Sequence, residues 1–220
     1  MTETPTAVHY RAYLLAYDLE KEDLYDRTRT AFLTRAGVLT ELALRGNIAD
    51  DDGDAVLVKS DPTGDPVLDR LLAQIGNEKR SWKSWLRHDY KETLDAIEEQ
   101  LVEQKLLTVQ EKKILGVVPK THVTATDPAL AKALQEHAVE VLHGSTPAAQ
   151  VGADDAALVA LAAAGTVPSV VTRKESKGEY KDRIEELTDR VGEVAPGLEK
   201  ALRGIRLTMI AAQGGLGFSG

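Results

Sequence analysis

Apolar residues recur every three or four positions along most of this 220-residue chain, which is the spacing of one face of an α-helix. The strongest such segment covers residues 27–45 and ends at Gly46, a residue that favours helix termination. Its apolar stripe consists of Phe32, Ala36, Leu39 and Ala43. Further helices are predicted at 7–19, 66–75, 81–105, 128–142, 154–164, 177–191 and 196–212. The pattern predicts a mainly α fold, with residues 1–220 forming a single helical domain around a helical-bundle core.

Two segments break the helical spacing and predict small β-hairpins. In the first, residues 47–59, a turn at Asp52-Gly53 separates two short strands. In the second, LTVQEKKILGVVPKTHVT (residues 107–124), β-branched residues stand at both ends. Between the hairpins, Asp65 followed by Pro66 is typical of a helix N-cap and first helical residue.

The acidic cluster of the first hairpin invites a metal or phosphate interpretation, and its spacing supports neither. With Gly53 at the sixth position of a calcium loop, the first and twelfth positions would be Ile48 and Lys59, which carry no carboxylate. The nearby TGDP sequence matches no glycine-rich phosphate loop. The acids are therefore interpreted as a solvated turn.

Composition limits the function classes. Without cysteine there is no disulfide, thiolate metal site or cysteine nucleophile, and no apolar run reaches the roughly 18 residues of a membrane span. The N-terminus has no secretory pattern, so a cytoplasmic protein is expected. The five histidines lack metal-ligand spacing, and no nucleophile–base arrangement is readable. We therefore expect no catalytic residue, no metal site, no cofactor and no enzyme activity.

Several segments resemble one known family. ELALRG (41–46), SDPTGDPVLD (60–69), LVEQKLLT (101–108) and EKKILGVVPKTHVT (111–124) are similar, in this order, to the Golgi phosphoprotein family, which binds phosphatidylinositol 4-phosphate and has bacterial relatives. The resemblance implies an adaptor that holds the tails of membrane proteins. It also implies a hairpin over residues 108–124 that serves membrane contact and homo-oligomer formation. The Ala- and Asp-rich composition is typical of a bacterial relative.

The resemblance also implies where a lipid headgroup would bind. The family's first pocket arginine falls on Arg35, and its next two fall on Lys91 and Leu94. The family's tryptophan falls near Asp26. Arg87, one helical turn before Lys91, is expected to supply the cation missing at Leu94, so the implied headgroup-binding set is Arg35, Arg87 and Lys91.

The residues alone indicate the same region. In KRSWKSWLRHDYK (79–91), a helix would place four cations on one face: Arg80, Lys83, Arg87 and Lys91. Trp82 and Trp85 flank this basic face and are predicted to contact a membrane. The alternative is a solvated basic face paired with Glu92 and Asp95, with both tryptophans in the core.

The tip of the second hairpin is the other predicted membrane contact. Ile114 and Leu115 lie between Lys112-Lys113 and Lys120, so an apolar tip is flanked by cations. An ordinary strand buried against its own domain is the alternative.

These patterns predict a non-enzymatic peripheral protein at the inner face of a membrane, which binds anionic phospholipid or phosphoinositide headgroups. Because the chain has a net charge of −8, the attraction must come from a local basic pocket. One alternative is a winged-helix DNA-binding protein, although Asp95, Glu98, Glu99 and Glu103 on the helix before the wing would repel phosphates, so no nucleic acid partner is expected. Another alternative is a protein-binding helical scaffold without lipid affinity.

Overall fold

The computed structural model describes residues 6–114 and 118–215, and this part of the chain is mainly helical, as predicted. Its helices are α1 Val8–Leu15, α2 Arg27–Leu44, α3 Pro66–Asn77, α4 Trp82–Arg87, α5 Tyr90–Glu103, α6 Pro128–His143, α7 Ala153–Gly165, α8 Arg173–Lys177, α9 Lys181–Gly192 and α10 Pro196–Gly215.

Short antiparallel strands join these helices. They are β1 Tyr17–Asp18, β2 Asp23–Leu24, β3 Ile48–Asp51, β4 Asp54–Leu57, β5 Arg80–Ser81, β6 Leu107–Ile114 and β7 Val118–Ala125. Both predicted hairpins are confirmed: β3 pairs with β4, and β6 pairs with β7 from Leu107 opposite Ala125 to Ile114 opposite Val118. The β1–β2 pair and the addition of β5 to the edge of β4 were not predicted, because two-residue strands carry no readable alternation.

The helices α2 and α7 form the centre of a connected hydrophobic core. Every residue of α7 from Ala156 to Ala164 is buried, as expected for a segment that is apolar all round. Helix α2 packs against α1, α5 and α7, and it crosses α1 closely at Gly37. A Cβ atom at Gly37 would lie 2.8 Å from the Cα atom of His9, so this crossing requires glycine.

Three predicted helices differ from those observed. The single helix predicted over 81–105 is wrong, because Asp89 adopts a left-handed conformation with φ 51° and separates α4 from α5. The helix predicted over 177–191 begins instead at Lys181, after a separate short helix α8 that begins with a capping box between Thr172 and Glu175. The helix predicted over 7–19 ends at Leu15, where the chain turns into β1.

Candidate functional site

Arg35 lies in the middle of α2 beneath the junction of α4 and α5, and it is only 2% exposed. Its Nε atom donates a hydrogen bond to the Trp85 carbonyl oxygen at 3.0 Å. Its Nη1 atom donates to the Thr93 hydroxyl oxygen, also at 3.0 Å. Its Nη2 atom is buried without a hydrogen-bond partner among the described residues. The guanidinium therefore ties α2 to both helices at the point where the chain passes from α4 to α5.

The charge on Arg35 has no direct counter-ion. No carboxylate of the described residues lies within ion-pair distance of its guanidinium. Burial lowers the pKa of Arg35 to about 10, an effect that the more distant Asp89 and Glu92 oppose and Arg70 reinforces. The side chain stays protonated at neutral pH. An unpaired buried charge is costly to the fold, and such groups concentrate at functional sites.

Arg87 and Lys91 lie at the surface of the same junction. Arg87 is the last residue of α4, Lys91 is the second residue of α5, and both are exposed. Neither forms an ion pair with a described carboxylate, and Lys91 Nζ lies 5.9 Å from the centre of the Tyr90 ring. The hydrogen-bond partners of Arg35 are close to them in sequence: Trp85 is two residues before Arg87, and Thr93 is two residues after Lys91. The three predicted headgroup residues thus converge on one junction, with Arg35 beneath it and the other two on its outer side.

The local charge of the junction is positive but small. Residues 83–92 contain three cations, Lys83, Arg87 and Lys91, and two acids, Asp89 and Glu92, which leaves +1. Arg35 brings the sum to +2, on a chain whose net charge is −8.

The structure corrects the prediction that Trp82 and Trp85 contact a membrane. Their exposed fractions are 1% and 0%, so neither offers a surface to lipid, and both belong to the core as the alternative interpretation held. The Trp82 Nε1 atom donates to Asp50 Oδ1 at 2.6 Å. The Trp85 ring packs near two guanidinium groups, those of Arg80 at 5.3 Å and Arg35 at 6.0 Å. Burying these large aromatic surfaces stabilises the fold more than exposing them would.

The continuous basic face predicted over residues 80–91 is also corrected. Arg80 belongs to β5 and bonds to Glu78, whereas Lys83 and Arg87 belong to α4 and Lys91 to α5. Helical spacing does not carry across Asp89, because the chain changes direction there. The cations share a region of the surface through the tertiary fold and not through one helix.

The β6–β7 hairpin is anchored at its base. The Ala125 amide donates to the Tyr17 hydroxyl oxygen at 3.2 Å, and His122 Nδ1 lies 3.1 Å from Asp23 Oδ2. Ile114 is the last residue of β6, and Leu115 lies outside the described residues. Membrane contact by Ile114 and Leu115 therefore stays a prediction.

Sequence reasoning missed the residues that hold Arg35 and the junction. The Thr93 hydroxyl accepts from Arg35 and donates to the Asp89 carbonyl oxygen, and neither role was predicted. Gln74 on α3 donates through Nε2 to Asp89 Oδ2 at 2.9 Å. No pattern along the chain signals the bonds from Arg35 to Thr93 and from Gln74 to Asp89, because the partners are 58 and 15 residues apart.

The described residues show neither a metal centre nor a membrane span. Within the described ranges, no cluster of three or more His, Cys, Asp or Glu side chains is arranged to hold a metal ion. None of the described helices combines the length and apolarity needed to cross a bilayer.

Helical architecture and an anchored β-hairpin define a mainly α protein, and Arg35, Arg87 and Lys91 lie at its α4–α5 junction. The family model described as Golgi phosphoprotein 3 (GPP34) matches residues 10–205, which is most of the chain. The chain therefore belongs to the Golgi phosphoprotein family, as its sequence segments indicated. A search of curated proteins gives no match.

Proposed function

We propose that this protein attaches peripherally to membranes by binding anionic lipid headgroups at the α4–α5 junction, and that it acts there as a non-catalytic adaptor. The observation that carries the proposal is the state of Arg35, a buried cation that has no counter-ion, and no hydrogen-bond partner for its Nη2 atom, among the residues that the structure describes. Family membership supports the same role.

The three cations have different parts in this proposal. Arg87 and Lys91 are exposed, so they contact the headgroup directly. Arg35 is enclosed, and it contributes through its charge, whose field is weakly screened in the protein interior. Each basic residue near an anionic surface contributes about 1 kcal/mol, so the junction offsets part of the repulsion from the acidic remainder.

The junction is expected to bind anionic lipids with little selectivity for any one headgroup. Lys91 presents a point charge where an arginine would grip a phosphate with two parallel hydrogen bonds. Leu94, at the position of a further family cation, is buried and apolar. We therefore expect a preference for phosphoinositide over other anionic lipids that is weaker than a complete arginine pocket would provide.

The adaptor part of the proposal concerns two further partners. Tails of membrane proteins are expected to bind the protein at the inner, cytoplasmic face of the membrane, and the hairpin over residues 108–124 is expected to mediate homo-oligomer formation. The competing interpretation is a scaffold that binds proteins without lipid affinity, and absence of vesicle binding would favour it.

Co-sedimentation with vesicles tests the lipid site. Binding is measured to neutral phosphatidylcholine vesicles and to vesicles with phosphatidylserine or phosphatidylinositol 4-phosphate at equal total charge. We expect binding to rise with anionic content and to fall with salt. Replacing Arg87→Ala and Lys91→Ala together should reduce binding strongly.

The matched control is Lys177→Ala with Lys181→Ala, which removes two exposed cations elsewhere on the surface and changes the net charge equally. Equal loss in the two double variants would show that net charge, and not the junction, governs binding. Equal binding of the unaltered protein to neutral and anionic vesicles would refute the electrostatic mechanism. A shift of duplex DNA at physiological salt would favour the winged-helix interpretation.

The hairpin is tested separately with Leu115→Asp. If the tip contacts lipid, this variant should bind anionic vesicles less well while α4 and α5 remain unchanged. If the tip mediates self-association, sedimentation velocity should show a smaller species at the same concentration. Unchanged vesicle binding and unchanged sedimentation would remove both roles from the hairpin.

A further inference from the structure

A cavity of about 170 Å³ lies between the beginning of α2 and the end of α7. Leu33, Val167 and Pro168 form much of its apolar wall, and Asp26, Arg29 and Thr166 bring polar groups to it. It is distinct from the α4–α5 junction, because Arg35 follows Leu33 by two residues and so projects about 200° around α2 from it.

The polar wall holds two opposite charges side by side. Asp26 is the N-cap of α2, and its Oδ1 atom accepts a hydrogen bond from the Arg29 amide at 2.9 Å. The Arg29 Nε atom lies 3.6 Å from Asp26 Oδ2, and Arg29 Nη1 donates to the Thr166 hydroxyl oxygen at 3.0 Å. The contacts fix the guanidinium and the carboxylate next to each other at the cavity.

Thr166 adopts an unfavourable backbone conformation at this wall. Its φ of 52° and ψ of 49° are left-handed, which is rare for a β-branched residue. Helices commonly end with glycine or asparagine in this conformation, so the position would favour either residue over threonine. The threonine hydroxyl is the group that bonds to Arg29. Strained residues of this kind cluster where a structure is organised around a ligand.

We propose that this cavity binds a small zwitterion with a branched aliphatic side chain, of the class of free leucine. The ligand's carboxylate pairs with Arg29, its ammonium group pairs with Asp26, and its side chain packs against Leu33, Val167 and Pro168. A simple carboxylate would be repelled by Asp26, a simple amine would be repelled by Arg29, and a purely apolar molecule would displace water from the Asp26–Arg29 pair without replacing its hydrogen bonds. The volume is suitable, because an apolar cavity of about 150 Å³ holds a molecule the size of benzene.

Three probes of matched shape test the proposal. L-Leucine carries both charges, 4-methylpentanoate lacks the ammonium group, and 3-methylbutylamine lacks the carboxylate. Each is titrated into the full-length protein to about 10 mM, since so small a ligand has limited affinity. The backbone amide resonances of Arg29 and Thr166 are followed by NMR. We expect saturable shifts with L-leucine and at least about tenfold weaker binding of the other two.

Asp26→Asn isolates the charge on one side of the cavity. Asparagine caps a helix as well as aspartate, so α2 stays intact. This variant should bind L-leucine about tenfold more weakly and should no longer discriminate it from 4-methylpentanoate. The control Asp182→Asn removes one exposed carboxylate in α9 and should leave L-leucine binding unchanged.

Two results would overturn the proposal. The first is the absence of saturable shifts at Arg29 and Thr166 with L-leucine. The second is equal binding of all three probes, which would reduce the cavity to an unselective apolar cleft. Neither result depends on lipid binding, so this site and the α4–α5 junction succeed or fail independently.

Discussion

Asp50 accepts the indole N–H of Trp82 at 2.6 Å, and the same Oδ1 atom accepts the amide N–H of Gly197 at 3.0 Å. One carboxylate of the acidic hairpin thus joins β3, α4 and the first turn of α10. A carboxylate at a helix N-terminus also interacts favourably with the helix dipole. The interpretation of the acids as a solvated turn therefore fails for Asp50, which links three elements of the fold.

Gly197→Ala should destabilise the protein. A Cβ atom at this position would overlap Asp50 Oδ1 and the Trp82 ring, so the start of α10 would have to move away from α4. Overpacking of this kind costs about 1–3 kcal/mol of unfolding free energy, measurable by urea denaturation. The control is Gly204→Ala in the same helix, where an added Cβ meets open space and should stabilise by about 0.5–1 kcal/mol. Equal effects of the two substitutions would contradict this packing.

Trp82 and Trp85 should not respond to membranes. The two side chains are enclosed, so their fluorescence should be that of solvent-shielded indoles and should not shift when anionic vesicles are added. Vesicles with brominated acyl chains test this directly, because bromine quenches an indole only when the two approach closely. Quenching in proportion to the bound fraction would mean that α4 opens on the membrane and that the burial is lost there.

Arg35→Met should separate stability from lipid binding. Methionine has a similar length without the charge, and the known partners of Arg35 keep other bonds: the Trp85 carbonyl accepts from the His88 amide, and the Thr93 hydroxyl donates to the Asp89 carbonyl. The unfolding free energy should therefore stay within about 1 kcal/mol of the unaltered protein, or rise. Binding to anionic vesicles should fall. A loss of several kcal/mol with unchanged vesicle binding would assign Arg35 a purely structural role.

Asp65 should make stability depend on acid pH. Burial raises the pKa of Asp65. Hydrogen bonds from His9 and from the Val67 and Leu68 amides lower this pKa by more than burial raises it, so it lies below its usual value. Because the pKa is depressed in the folded state, the stabilisation is present above about pH 4 and is lost as pH falls. Asp65→Asn preserves the N-cap and should cost about 1–3 kcal/mol at pH 6. Its unfolding free energy should then fall less between pH 6 and pH 3 than that of the unaltered protein; parallel curves would contradict the assignment.

Local signals explain why much of the fold was predictable. The helical spacing of α2, the Asp52-Gly53 turn and the Asp65-Pro66 start of α3 each specify structure through neighbouring residues, and all three elements occur as predicted. The predicted single stripe of α2 is wrong, because residues on nearly all sides of this central helix are buried and Phe32 is only partly so. The break at Asp89 was not predictable, because aspartate only tolerates the left-handed conformation and does not require it. Asp65 is a further example, since its capping role was readable while its bond to His9, 56 residues away, was not.

The sequence by itself determined the helical class and both hairpins. Its family segments led to the choice of Arg35 and Lys91, and helical spacing from Lys91 led to Arg87. Only the tertiary structure decided that Arg35 is enclosed with no counter-ion in the described part of the chain and that Trp82 and Trp85 are core residues. The physical reason is separation along the chain. Periodicity and capping report interactions within about one helical turn, whereas Arg35 finds its partners 50 and 58 residues away, where α4 and α5 meet over α2.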